Sequence, residues 1–240
     1  MLVVKWSTNG YNRYVRVRKL HEWQLTVAGA REMQSKLAGK IRRTGKVSAP
    51  RWIAGVDVSV MRSSKTGTGA VVVLEYPGLN MVEVKVVQGE LGFPYIPGLL
   101  SFREAPIILK ACGELGVSPD LIMVDGQGIA HQRRFGLASH LGLLLDTPTI
   151  GCAKSRLCGS HDVPGEERGS FAELTDCGEI IGAVVRTKSG TKPLYISVGH
   201  KINLQNAIHW VLECSRGYRL PEPTRLAHQA AGGNISSKEG

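Results

Sequence analysis

Apolar and polar residues alternate along this chain in ways that predict most of its elements. From Leu20 to Arg43, apolar Leu20, Trp23, Val27, Met33, Leu37 and Ile41 recur three to six positions apart with polar residues between, which predicts a helix. Three strand-like runs follow, Trp52–Val60, Gly69–Tyr76 and Met81–Gln88. Pro77-Gly78 makes the turn between the last two, so they read as an antiparallel hairpin. Phe93–Gly98 is a proline-bracketed loop. Ser101 is placed to cap a helix running to about Leu115, with Glu104 three residues on in the capping-box position. Asp120–Asp125 is short and almost wholly apolar, the pattern of a strand inside a sheet covered on both faces. A helix at Phe135–Leu145, a strand at Thr149–Cys152, a strand pair at Ile180–Thr187 and Leu194–Val198, and a helix at Asn203–Cys214 complete the order. Strands first, then strands alternating with helices, indicate a mixed α/β sheet. The expected organisation is a basic arm at residues 1–19, one domain at 20–229 and a flexible tail at 230–240.

Composition narrows the class. A chain of 240 residues, 42 % hydrophobic and 21 % charged, can bury a full core unaided. It holds no apolar run of about 18 residues and no secretory leader, so a cytoplasmic protein off the membrane is expected. The five cysteines are odd in number and lack zinc-knuckle spacing, which points to free thiols. The net charge of +10 suggests an anionic partner, nucleic acid before membrane. Its position matters more: residues 1–51 hold twelve Lys or Arg against two acids, and the remaining 189 residues hold eighteen of each sign. Either this excess is a solvated helix face with an irregular arm, or it grips phosphates.

The candidate chemistry lies in the neutral part. Asp57 interrupts the strand-like run Ile53–Val60, where a buried carboxylate is costly without a cation or donors. Asp125 ends an apolar run and precedes Gly126-Gln-Gly128, at the carboxyl end of a strand where ligands of open α/β sheets gather. Glu104 is either the capping-box acid or a third member of an acidic set. Three carboxylates on separate elements suit Mg²⁺, which takes oxygen ligands and keeps waters. With a basic segment nearby, this indicates metal-assisted phosphodiester hydrolysis. Lys154 reads as a solvated lysine or as a cation for the phosphate, and His228 as a helix-surface histidine or a proton shuttle. His131, Arg133 and Arg134 either touch phosphates or are exposed. Pro94, Tyr95, Ile96 and Pro97 form a stiff loop, either a packed aromatic corner or a wedge between base steps.

Four stretches carry a family likeness: Phe93-Pro-Tyr-Ile-Pro-Gly-Leu-Leu-Ser-Phe-Arg-Glu104, Val124-Asp-Gly-Gln-Gly-Ile-Ala-His131, Pro148-Thr-Ile-Gly-Cys-Ala-Lys-Ser-Arg-Leu157 and Tyr218-Arg-Leu-Pro-Glu-Pro-Thr-Arg-Leu-Ala-His228. In order and spacing they resemble the motifs of the endonuclease V family, over roughly Leu20–His228. Gln132 stands where the family usually has proline and Cys152 where valine is common.

The resemblance implies an RNase H-like mixed β-sheet flanked by helices. It implies that Asp57, Asp125 and Glu104 hold Mg²⁺ (with Mn²⁺ able to substitute), that His228 completes the active site, and that Lys154 meets the phosphate. It implies a strand-separating wedge at Pro94–Pro97 led by Tyr95. It also implies a pocket for flipped hypoxanthine around Gly98, Leu100, Gly126, Gly128 and His131. The implied activity is hydrolysis of the second phosphodiester bond 3′ to a deaminated purine, leaving 3′-hydroxyl and 5′-phosphate. DNA with deaminated bases is the expected partner of a monomeric enzyme. The alternatives are inosine-containing RNA as substrate, and a non-catalytic nucleic-acid-binding protein.

Overall fold

The computed structural model describes residues 15–60 and 65–235, so most of the expected N-terminal arm and the end of the tail lie outside the described residues. The strands are β1 (Trp52–Val60), β2 (Thr66–Glu75), β3 (Asn80–Glu90), β4 (Leu121–Val124), β5 (Thr149–Ala153), β6 (Phe171–Asp176), β7 (Glu179–Val185) and β8 (Leu194–His200). They form one sheet in the order β3-β2-β1-β4-β5-β8-β7-β6. The hairpin β2–β3 is antiparallel, as its Pro-Gly turn predicts, and β1 pairs antiparallel with β2. The β1–β4 and β4–β5 pairs are parallel, so their carboxyl ends open on one edge.

The described residues include five helices, α1 (Val27–Ala38), α2 (Leu100–Gly113), α3 (Leu137–Leu145), α4 (Leu204–Glu213) and α5 (Glu222–Ala231), of which α2 to α5 pack on the sheet. Alternation along β1 sends Ile53 into one apolar layer, with α4 and α5, and Ala54 and Val56 into the other, with α2 and α3. All four residues of β4 are buried, because both faces are covered.

The structure corrects several expectations. The helix expected over Leu20–Arg43 is limited to Val27–Ala38. Thr26 Oγ1 accepts from Gly29 N at 3.1 Å and caps it. Leu20, Trp23 and Ile41 do pack against the apolar clusters, but from irregular chain on either side. Beyond the helix, residues 42–47 are strapped down by Lys201 N to Arg42 O (2.7 Å) and Trp210 Nε1 to Val47 O (2.9 Å). Ser101 caps nothing. The cap residue of α2 is Leu99, and Ser101 lies inside the helix with its Oγ buried and without a partner among the described residues. Glu104 is therefore free of a capping-box role. Strand β6 was not expected, and helix α5 was expected only in the reading of His228 as a helix-surface histidine, without bounds. β6 is an edge strand with Leu174 as its single buried residue, too weakly apolar to stand out. α5 follows Pro221 in a stretch that Pro223 makes look like loop, yet proline is tolerated in a first turn.

Candidate active site

Asp57 and Asp125 meet because β1 and β4 are parallel neighbours. Val56 pairs with Val124, and Asp125 N donates to Val56 O at 3.2 Å. Both carboxylates thus leave adjacent strands at one level. Asp57 Oδ1 accepts from Val58 N (2.8 Å) and Oδ2 accepts from His228 Nδ1 (2.7 Å). His228 comes from α5, which crosses β1 at very short range. A Cβ on Gly55 would sit 1.8 Å from Pro223 O, so only glycine lets α5 lie where His228 faces Asp57.

Lys154 follows β5 and its Nζ donates to Asp125 Oδ2. Its loop is held by Arg219 Nη2 to Lys154 O (2.7 Å) and by Gln127 Nε2 to Ser155 O (2.9 Å). Neither Arg219 nor Gln127 was singled out in the sequence; both lie inside the motif stretches, but their role is a distant backbone contact that no local pattern announces.

The electrostatics of the acids are unfavourable without a cation. Burial, then the nearby Asp125, raises the pKa of Asp57, against the lowering effect of His228, Val58 and Lys154. Glu104 on α2 is pushed up to about 8, by burial first and then by Asp57 and Asp125. One ligand atom from each of Asp57, Asp125 and His228 lies within 4.8 Å of the others. Two hard oxygens and an imidazole, with a third carboxylate repelled by both acids, fit a divalent cation. Glu104 stands near this trio without belonging to it.

Beside the acids opens a cleft of about 300 Å³. Gly98, Leu100, Gly126 and His131 line it, as do Tyr95, Ile96, Pro97, Asp125 and Lys154. Pro94 and Gly128 are outside the lining. Gly128 has a packing reason to be glycine: a Cβ there would lie 2.1 Å from Val198 O. Tyr95 is 70 % exposed. Phe93 and Ile96 anchor its loop from beneath, among Ala30, Leu99 and Phe102.

His131 is buried, not exposed. Its Nδ1 accepts from Arg133 N (3.1 Å), which leaves Nε2 to donate to Gly98 O (2.8 Å). Burial pulls its pKa down to about 4, so the ring is neutral. Arg134 is engaged by Asp176 and Glu179 at 2.8 and 2.6 Å. Arg133 bonds Gln34 Oε1 (2.6 Å) and Gly98 O (3.0 Å). Gln34, another residue the sequence did not mark, is fully buried and also donates to Gly98 O (2.9 Å).

Acids at parallel strand ends, a lysine, a histidine and a cleft lie in a stretch of chain that also matches known proteins. The family model for Endonuclease V matches residues 35–229, which include Asp57, Glu104, Asp125, Lys154 and His228. The Endonuclease V of Dehalococcoides mccartyi strain BAV1 is 52 % identical over 217 residues, 90 % of this chain and 97 % of that protein. The crystal structure of Endonuclease V from Streptomyces avermitilis superimposes with a TM-score of 0.84 at 40 % identity, covering 92 % of this chain and 97 % of that one. That of Ciona intestinalis Endonuclease V, in complex with a 24mer DNA containing an inosine followed by a ribo-adenosine, gives 0.75 at 27 % identity over 86 % of this chain and 96 % of that one. With the mixed sheet in the RNase H-like arrangement of these structures and a match over most of its length, this chain belongs to the endonuclease V family of nucleases.

Proposed function

We propose that this nuclease recognises deaminated purines in DNA and hydrolyses the second phosphodiester bond 3′ to the lesion, leaving 3′-hydroxyl and 5′-phosphate ends. The observation that carries this is the position of Asp57, Asp125 and His228, within 4.8 Å of one another, beside the cleft that Tyr95 borders. The inosine-containing DNA bound by the Ciona relative supports the choice of lesion.

Asp57 and Asp125 hold Mg²⁺, with Glu104 completing the acidic set; Mn²⁺ substitutes. When bound, the ion supplies Lewis-acid polarisation and neutralises charge on the phosphate. The chain's own residues do the rest. His228, oriented through Nδ1 by Asp57, keeps Nε2 to exchange a proton with solvent or the leaving strand. Lys154 moves from Asp125 to the phosphate oxygens as charge builds on them. Tyr95, on the stiff Pro94–Pro97 loop, fills the gap in the stack. The flipped base enters the cleft at Gly98, Leu100, Gly126 and His131, backed by Gly128. Its volume of about 300 Å³ lies at the small end of ligand sites, as suits a single base. Flipping costs a few kcal/mol, least for a mispaired base, which itself favours lesions. The enzyme works as a cytoplasmic monomer; among the described residues no helix is long and apolar enough to cross a membrane.

A 5′-labelled duplex with one inosine, incubated with Mg²⁺ and excess protein, is expected to yield a single nick one nucleotide beyond the lesion. No nick from folded protein would overturn the reading. The ribo-adenosine after the inosine in the Ciona complex favours a second reading, cleavage of inosine-containing RNA. An all-RNA strand and an inosine-ribonucleotide chimaera in the same assay decide between the polymers, since contacts to a 2′-hydroxyl would favour them.

A further inference from the structure

Arg133 is held at this site without an acid partner, as Arg219 is. Arg134 beside it has two carboxylate partners. Arg43 pairs with Glu179 and Arg225 with Glu222. Among the described residues Arg133 has none: its Nε and Nη2 donate to a neutral amide oxygen and a neutral carbonyl. It is half-buried, which already disfavours its charge. A second cation, Arg31, is close enough to disfavour it further.

Arg31 is placed by α1. It stands one turn before Gln34, on the same helix face, and Gln34 both lines the cleft and holds Arg133. Arg31 is exposed, and its side chain has no ion pair or hydrogen bond among the described residues. Arg133 is bonded to Gln34, and Arg31 stands one turn before Gln34 on the same helix, so the two guanidinium groups serve one side of the cleft and repel, which an anion bound by both relieves. Arginine forks match phosphate oxygens. The position is also apt. Arg133 bonds Gly98 O, at the root of the Tyr95 loop, while Lys154 and Arg156 line the same cleft. A strand that sends its base into the cleft carries its backbone past the rim.

We propose that Arg31 and Arg133 form a phosphate-binding site on the α1 side of the cleft, which holds the backbone of the strand whose base is flipped. Arg31 lies before the residues that the family model matches, so the site extends the nuclease machinery with a residue of this chain's own basic segment. The proposal rests on the reading of the cleft as the base site.

The test is binding of an inosine duplex and its undamaged twin, by fluorescence anisotropy in EDTA across a salt series. Arg31→Gln is expected to weaken binding to both and to lower the slope of log affinity against log salt by about 1. Arg31→Glu places an acid beside Arg133. It is expected to weaken binding further while leaving Tm equal to or above the wild type's, two shifts that damage to the fold does not produce together. A wild-type salt slope in both variants would overturn the phosphate site, as would a lowered Tm in Arg31→Glu with unchanged binding. Absence of nicking by the wild type would overturn the nuclease reading instead, and the two failures are read from separate measurements.

Discussion

Glu104, Asp57 and Asp125 share one small region, and each is shaped by the others. A carboxylate raised to about 8 by burial and then by two neighbouring acids is a group waiting for positive charge. Removing Asp57 or Asp125 by alanine substitution is expected to lower nicking at least about a hundredfold, since several kcal/mol of charge stabilisation goes with the ion. Binding of inosine DNA in EDTA is expected to survive, because Tyr95 and the residues proposed to hold the base are unchanged. Nicking near the wild-type rate by Asp57→Ala would remove it from the ligand set. Tyr95→Ala is expected to weaken affinity for inosine DNA by about 1–3 kcal/mol, the range for one stacked aromatic, with metal binding unchanged. Affinity equal to the wild type's would make Tyr95 an ornament of the loop. These residues were legible because an acid at the end of an apolar run, or an exposed tyrosine between prolines, is locally expensive and so conspicuous. Gln34 and Arg219 were not. Each acts on a backbone carbonyl far away in sequence, Gly98 and Lys154, and nothing in their own neighbourhood records it. The supposed cap Ser101 shows the reverse error: a local pattern was present, but Leu99 takes the cap and buries Ser101 in the helix.

Elements were legible where periodicity was strong and buried. β1 spans Trp52–Val60 as expected, and α4 agrees within a residue at each end. They failed where packing overrides propensity. Leu20 and Trp23 keep helical spacing yet bury from irregular chain, and β6 borrows its stability from β7. α5, which carries His228, was anticipated only through that residue and was given no bounds. The clue lay in Gly55, a glycine inside an apolar strand, which marks close approach of another backbone. Gly55→Ala is expected to push α5 away from β1. Overpacking of this kind costs typically about 1–3 kcal/mol, and it parts His228 from Asp57, so activity should fall with Tm. Gly39→Ala, where a Cβ meets nothing within 4 Å, serves as the control and should leave both intact. Equal Tm and activity in the two variants would show that α5 tolerates the displacement and that its seat on Gly55 does not set the active site.

At the scale of the molecule, the pH dependence of stability follows from side chains kept neutral inside. Burial pulls His131 and His200 down to about 4, and His140 well below its ordinary value. In the unfolded chain these rings titrate near 6.5. Between about 6.5 and 4 the unfolded state therefore binds more protons than the folded one, so their contribution is fully present above 6.5 and is lost as pH falls. Glu104 works in the opposite sense. Raised to about 8 in the metal-free fold, it is protonated there while its unfolded counterpart is ionised, so stability rises as pH falls from about 8 towards 4.5. Several histidines outweigh one carboxylate in the shared window. Metal-free protein, unfolded by urea in EDTA, is thus expected to be most stable near pH 6.5 and to lose several kcal/mol by pH 4.5. His200 separates this from general acid denaturation. It is buried, far from the acidic set, and accepts from Arg42 N at 3.2 Å. His200→Asn removes a titrating group from the acid limb, so that limb should become shallower even though the variant starts less stable. An acid limb of unchanged steepness would mean that His200 is protonated in the folded state, and that the strap at Arg42 is held without the ring's lone pair.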